Sequence, residues 1–290
     1  MTIAVIGATG NTGRAVVKEL RAFGYDPVCI VRDADKAREV LGGDAKTALA
    51  QLTDGPALEK ALAGVQRVFV VTGHSPSMVA QQNNVLDAAL KAGAQYLVRV
   101  GGSRPLVKAD SGSPVGRGHA AIEERLKASG INWVILAPGA PFMQNVLDQA
   151  ASIKTDSRMV LPSAKDLPVA LIDVRDTAAV GARILIDPAP HVGKTYEFTG
   201  KLTTYGAFAE VFAQVLGRPI AYVGITPEQA EQRMNARSMP DWLVAHLVTT
   251  AKVAAAGAFS TEQSKLIEDL VGRAPITTKQ FVEDFKAAFR

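Results

Sequence analysis

The chain has 290 residues, of which 48% are hydrophobic and 21% charged, with a formal net charge of +4. At about 150 residues per domain this is two domains, or one α/β domain with an appended lobe, and the hydrophobic content excludes a disordered protein. One cysteine, Cys29, excludes a disulfide framework and a cysteine-based zinc site, and the scattered histidines His74, His119, His191 and His246 make a metal site an unexpected reading.

The chain enters a strand-like segment at once, Ile3–Ile6. No basic segment followed by an apolar one precedes it, so no signal peptide is expected. No run approaches about 18 apolar residues, so no membrane span is expected and a cytoplasmic location is the default. Four further short runs, Val28–Val31, Val68–Val71, Tyr96–Val100 and Trp133–Leu136, read as buried strands, with a weaker one at Thr47–Gln51. Amphipathic stretches at 11–23, 33–42, 56–63, 77–92 and 116–129 read as helices. Strands alternating with helices predict βαβ units in a parallel sheet. Their continuous hydrophobicity predicts cover on both faces.

Past Pro138 the rhythm changes. A helix is expected at 142–151, then a polar loop through 168, a strand at Val169–Ile172 and a helix at 174–186. Asp173 and Asp176 are expected to cap that helix. A strand at Thr195–Thr199, a helix from Tyr205 and a strand at Ile220–Val223 follow. Two or three helices end the chain, with turn or cap signals at Thr226-Pro227, Gly272 and Thr277. The predicted fold class is α/β: a Rossmann-type doubly wound parallel sheet with a smaller mixed α/β C-terminal lobe. The predicted division is 1–150 for the domain that carries the sheet and 151–290 for the lobe, interleaved with it.

Gly7, Gly10 and Gly13 are spaced GxxGxxG in Gly7-Ala8-Thr9-Gly10-Asn11-Thr12-Gly13, directly after the first strand and at the opening of the first helix. Glycines there permit a tight turn and a close approach of backbone N–H groups to a pyrophosphate, and the helix N-terminus adds positive potential. The strand–turn–helix context is what gives such a motif weight. Gly7, Thr9, Gly10, Asn11, Thr12 and Gly13 are the candidate phosphate-binding residues. The second strand ends in Arg32-Asp33. An acid at that place accepts the ribose hydroxyls of NAD, whereas an arginine pairs with the 2′-phosphate of NADP. Arg32 therefore favours NADP(H), with NAD(H) the alternative. The competing structural reading leaves Arg32 on the surface and Asp33 or Asp35 as a helix cap.

These residues, with Ala88-Ala89-Leu90-Lys91-Ala92-Gly93, Glu123 through Pro138, Phe142-Met143-Gln144-Asn145, Leu171 through Asp176, Gly193-Lys194-Thr195-Tyr196 and Gly217-Arg218-Pro219-Ile220, resemble the NmrA-like family of atypical short-chain dehydrogenases/reductases. Within it the chain is similar to the NAD(P)H-dependent quinone reductases and triphenylmethane reductase. The resemblance covers nearly the whole chain. It implies a Rossmann domain, a small C-terminal lobe and a substrate cleft between them. It also implies a divided function, because some members are reductases and others are dinucleotide-binding redox sensors or transcriptional co-regulators. Against the family pattern, Gln51 stands where relatives often carry an aspartate near the adenine.

The usual short-chain dehydrogenase dyad needs a tyrosine four residues before a lysine. None of the five tyrosines has one: the residues at +4 are Cys29, Val100, Gly200, Ala209 and Thr226. By register with the family, His119 sits where many relatives carry the lysine, and it is the candidate catalytic residue. Its competing role is a structural hydrogen bond near a helix start. A quinone or a delocalised cationic dye needs hydride above all, so loss of the dyad fits conjugated acceptors better than simple ketones. Thr72, Gly73 and His74 after the fourth strand, Gly102 and Ser103 after the fifth, and Pro138 after the sixth are further cofactor candidates, because open parallel sheets bind ligands at the carboxyl ends of their strands. Phe142 and Asn145 are the candidate substrate contacts, and Met143 reads as core.

Two functions stand side by side: an NAD(P)H-dependent reductase of quinones or similar acceptors, and a non-catalytic NADP(H)-binding sensor with a regulatory protein partner. Lysine and arginine alternate with acids along the chain, so no nucleic-acid partner is expected. The helix at 77–92 is a candidate homodimer face, its apolar positions being equally explained by packing on the sheet.

Overall fold

Four aliphatic residues, Ile3–Ile6, form β1, and all four are buried. Such a strand must be covered on both faces. The computed structural model describes residues 1–139 and 141–290. After β1 come α1 (Asn11–Ala22), β2 (Val28–Val31), α2 (Ala34–Leu41), β3 (Thr47–Leu49), α3 (Gly55–Leu62), β4 (Arg67–Val70), α4 (Met78–Lys91), β5 (Tyr96–Val100), α5 (Pro114–Ala128) and β6 (Asn132–Pro138). A 3-10 segment (Met143–Gln149), α6 (Ala150–Asp156), β7 (Arg158–Leu161), β8 (Pro168–Ala170), α7 (Val174–Ile186) and β9 (Lys194–Phe198) follow. The chain ends with β10 (Leu202–Thr204), α8 (Tyr205–Leu216), β11 (Ala221–Gly224), α9 (Pro227–Ala236), α10 (Asp241–Ala255), α11 (Lys265–Val271), α12 (Thr278–Asp284) and α13 (Lys286–Phe289).

The main sheet runs β3-β2-β1-β4-β5-β6-β9. Every pairing from β3 to β6 is parallel. Winding proceeds outward from β1 to β3, then restarts at β4 and proceeds the other way. This is the doubly wound order predicted, with its switch point between β1 and β4. Among the described residues no helix is long and apolar enough to cross a membrane.

The chain forms two units that interleave in sequence. The first comprises Met1–Gly102, Gly118–Ala137 and Thr177–Tyr196; the second comprises Ser103–Arg117, Pro138–Asp176 and Glu197–Arg290. The chain thus changes unit repeatedly. In the first unit, Ala4, Ile6, Val68, Val70 and Leu97 meet Leu58 and Leu62 of α3, Val85 and Leu86 of α4, and Leu126 of α5 in one buried cluster. The carbonyls of Leu185 and Ile186, at the end of α7, each accept from Arg67 Nη1 of β4 at 2.6 Å.

The second unit has an aromatic core. Phe208 and Phe212 lie 5.1 Å apart on α8, Phe289 packs edge-on to Phe212 at 4.7 Å, and Phe281 edge-on to Phe208 at 5.9 Å. Such pairings favour the edge-to-face arrangement set by the ring quadrupole. Met143 is buried in the same core, as expected. The C-terminal cap signals are realised: Thr226 forms a capping box with Gln229, Gly272 ends α11 in the left-handed region and Thr277 caps α12.

Local expectation fails in three places. The helix expected at 142–151 is a 3-10 segment followed by α6, which runs on to Asp156. The polar loop expected through 168 contains β7, which pairs in parallel with β11 far along the chain. A strand whose only fully buried residue is Met159 carries little local signal. Asp173 does accept from the Arg175 N–H at 2.8 Å at the start of α7. Asp176 does not cap: its carboxylate accepts from Ile276 N at 2.9 Å and from Arg273 Nη1 at 2.6 Å, anchoring the C-terminal segment. Burial pushes its pKa above the usual aspartate range, against the pull of those donors.

Truncating Phe212, buried at the junction of α8 and α13, removes two ring contacts at once. We expect Phe212→Ala to lower the unfolding free energy by about 3–5 kcal/mol, read by chemical denaturation followed by circular dichroism. A loss below about 1 kcal/mol would show that this aromatic cluster does not organise the unit.

Candidate functional site

The turn after β1 is built backbone on backbone. Gly7 has φ +79°, and a Cβ there would lie 1.9 Å from the carbonyl oxygen of Val71, at the end of β4. A Cβ on Gly13 would lie 2.1 Å from the carbonyl oxygen of Gly7. The N–H of Gly10 closes the turn on that same carbonyl at 3.0 Å. No side chain caps α1, and its first turn holds no acid. Asn11 instead accepts from Arg14 Nη2 at 2.9 Å. The opening N–H groups of α1, with the helix dipole behind them, form an anion cradle at the switch point. Thr12 and Gly13 are buried in it, Thr9 is half-buried, and Gly10 and Asn11 are exposed. This is what a pyrophosphate requires of a binding turn, so the residues present fit a dinucleotide.

Asp33 is the N-cap of α2 and accepts from Lys36 N at 2.9 Å. One oxygen of its carboxylate is thereby engaged. Arg32 is exposed and has no hydrogen bond or ion pair among the described residues. Asp35 pairs with Arg38 at 2.9 Å. The polarity at the end of β2 is therefore that of an available guanidinium beside an engaged acid.

Beyond β4 lies a buried polar chain. Thr72 Oγ1 accepts from Gln82 Nε2 of α4 at 2.7 Å. Gln82 Oε1 accepts from Arg99 Nε of β5 at 2.7 Å. Arg99, only 1% exposed, also reaches two residues of α5: Glu123 Oε1 at 3.4 Å from Nη1, and His119 Nδ1 at 2.6 Å from Nη2. His119 and Glu123 are one turn apart on one helix face, and both are buried. The ring of His74 stands edge-on to that of His119, with centroids 5.6 Å apart and planes at 86°. His74 is exposed by its accessible surface, yet the protein packed around it lowers its pKa below the ordinary histidine value by desolvation. Thr72 is thus linked to Arg99 through Gln82, and His74 meets His119 ring to ring. Gly73 lies exposed between the first two.

Gly102 is half-buried after β5. The remaining candidates lie in the second unit. Ser103 Oγ is 3.4 Å from the carbonyl oxygen of Gly139. Pro138 is the buried last residue of β6. Phe142 is half-buried and forms an isolated bridge with Ile172. Asn145, in the 3-10 segment, is exposed, with its N–H bonded to the Phe142 carbonyl at 3.1 Å.

The sequence reading missed Arg99, Gln82 and the role of Glu123. A signal for Arg99 was present: one arginine interrupts the apolar strand Tyr-Leu-Val-Arg-Val. A charge in a strand covered on both faces must find partners inside. Nothing local pointed to which partners.

A family model described as the NmrA-like family matches residues 1–275. The NAD(P)H azoreductase of Xenophilus azovorans is 34% identical over 292 residues, covering 99% of each chain. Quinone oxidoreductase 2 of Escherichia coli K12 is 29% identical over 282 residues, covering 95% of each. Among solved structures, the NADPH-dependent quinone oxidoreductase of Escherichia coli complexed with NADPH matches with a TM-score of 0.84 at 25% identity, covering 98% of this chain and 100% of that one.

The turn geometry separates two glycines of one motif. Gly10 has an ordinary extended backbone, and a Cβ there would lie 3.4 Å from its nearest neighbour. We expect Gly10→Ala to change stability by less than about 1 kcal/mol. Gly7→Ala combines left-handed strain of about 1–2 kcal/mol with a backbone clash and is expected to cost clearly more. Thermal unfolding of the two variants side by side checks this, and equal costs would contradict the backbone contact.

Proposed function

The chain belongs to the NmrA-like family, and from that premise we propose that it is an NAD(P)H-dependent reductase. It passes a hydride to a quinone, an azo dye or a similarly conjugated acceptor, and it prefers NADPH. The observation that carries the reading is the uncapped glycine turn at the switch point, where Gly7 and Gly13 hold the backbone too close for any side chain. The azoreductase and the quinone oxidoreductases to which the chain is similar support the acceptor class.

The bound dinucleotide supplies the hydride. The residues from Gly7 to Gly13 hold its pyrophosphate on backbone N–H groups. Arg32 takes the 2′-phosphate through its exposed guanidinium, beside the Asp33 that caps α2. Thr72, Gly73, His74, Gly102, Ser103 and Pro138, at or after the carboxyl ends of β4, β5 and β6, position the nicotinamide side. Phe142 and Asn145 keep the acceptor role within the same proposal. His119 supplies a hydrogen-bond donor in place of the tyrosine–lysine dyad. Hydride transfer to a conjugated acceptor asks the protein chiefly to align two rings and exclude water, and a single donor suffices for the polarity that develops.

The test is NADPH oxidation by the purified chain, followed through the loss of its near-ultraviolet absorbance. A panel of quinones, azo dyes and cationic dyes serves as acceptors, with NADH in parallel. Turnover with NADPH preferred is expected. Arg32→Ala should reduce that preference by about tenfold or more, the worth of a charge-assisted contact of roughly 1.5–3 kcal/mol. A preference for NADH in the unaltered chain would sink the Arg32 assignment. Cofactor binding without turnover on any acceptor would replace the reductase by a redox sensor.

A further inference from the structure

We propose that Arg99 is a positioning residue that locks His119 into one tautomer, neutral and with its proton on Nε2. The functional meaning of the lock rests on the reductase reading; the lock itself does not.

The argument begins with what a guanidinium can do. It has five N–H donors, no acceptor, and keeps its charge in proteins. Arg99 Nη2 lies 2.6 Å from His119 Nδ1, and both residues are buried. A proton on Nδ1 would set two donors face to face at that distance. Nδ1 therefore holds its lone pair toward Arg99, and the proton of the neutral ring is on Nε2. The imidazolium, protonated on both nitrogens, is excluded by the same contact.

The surroundings agree. From β5, Arg99 brings one positive charge. From α5, Glu123 brings one negative charge and places it 3.4 Å from the other arm of Arg99. From α4 comes Gln82, which is neutral and accepts from Arg99 Nε. From the end of β4 come Thr72, neutral and tied to Gln82, and His74, whose pKa is lowered by desolvation. The negative charge of Glu123 lies against the positive charge of Arg99. Gln82 fixes the guanidinium plane from the other side, so the arm facing His119 has little freedom to turn away.

An unlocked histidine changes state near its ordinary pKa of about 6.5 and exchanges tautomers. A locked one presents the same N–H throughout. Such a donor polarises an acceptor atom without losing its own proton. The acceptor then gains hydride from the dinucleotide and its balancing proton from solvent.

The experiment is nitrogen NMR of the imidazole rings in the full chain labelled with ¹⁵N-histidine. The His119 signals are assigned by their loss in His119→Gln. A protonated Nε2 and an unprotonated Nδ1 are expected, unchanged between about pH 5 and pH 8. A protonated Nδ1, or a titration in that window, overturns the proposal. Arg99→Met alone would take a positive partner from the buried Glu123 at a cost in stability, so Arg99→Met is combined with Glu123→Met, an apolar replacement of the kind that folds are known to accept. In that double variant both tautomers should appear. In the same variant kcat should fall by about tenfold to a hundredfold with KM for NADPH unchanged, as for a misaligned site group. Persistence of the single tautomer in the double variant would show that Arg99 does not hold it. If the unaltered chain oxidises no NADPH, the reductase reading fails while the ring spectra still decide the lock.

Discussion

A guanidinium sealed inside a parallel sheet sets the terms for everything around it. Removing such a charge from water costs several kcal/mol even after relaxation, on the order seen for buried ions generally. Arg99 meets that cost with partners from two helices: Gln82 of α4, and Glu123 and His119 of α5. Each of those partners is tied to the guanidinium by a directional contact. The seating of α4 and α5 on this face is thereby specified by directional contacts and not by apolar packing alone. Thr72 and His74, at the end of β4, are drawn into the same arrangement.

A second constraint lies across the switch point and is purely steric. The turn after β1 touches the backbone at the end of β4, Gly7 against Val71. The two turns that flank the crevice are thus held at backbone contact distance, and α1 begins close to the end of β4. Steric closeness and polar satisfaction act at the same strand ends. The first prepares an anion cradle, and the second holds His119 against Arg99 and beside His74. A reductase of conjugated acceptors needs both: a dinucleotide held by its phosphates, and a polar group that does not have to change charge. The missing tyrosine–lysine dyad fits the same picture, because a site that gives up no proton of its own has no need of an activated phenol.

Much of the frame was legible in the chain. Short aliphatic runs with helical patterns between them gave the parallel sheet, since a strand buried on both faces reads as continuous hydrophobicity. The glycines at 7, 10 and 13 were legible because their meaning is local: the turn that needs them is the turn in which they stand. Asp33 was legible as a cap for the same reason. The difficulty began where partners are distant. β7 pairs with β11 across some sixty residues and offers only one fully buried side chain of its own. Asp176 had the position of a helix cap, yet its carboxylate turns to Ile276 and Arg273 near the end of the chain.

The sequence by itself determined the alternation of the first six strands with their helices, the doubly wound class, the glycine cradle and the identity of the side chains at its strand ends. These follow from periods of two and 3.6 residues and from the steric needs of single turns, which are properties of neighbouring residues. Only the tertiary structure decided what those side chains mean to one another. His119 was a histidine near a helix start until Arg99, twenty residues away on another element, met its Nδ1. Which nitrogen carries the proton depends on which atom faces it across a buried contact. That choice is made by packing between elements, where local sequence holds no record of it.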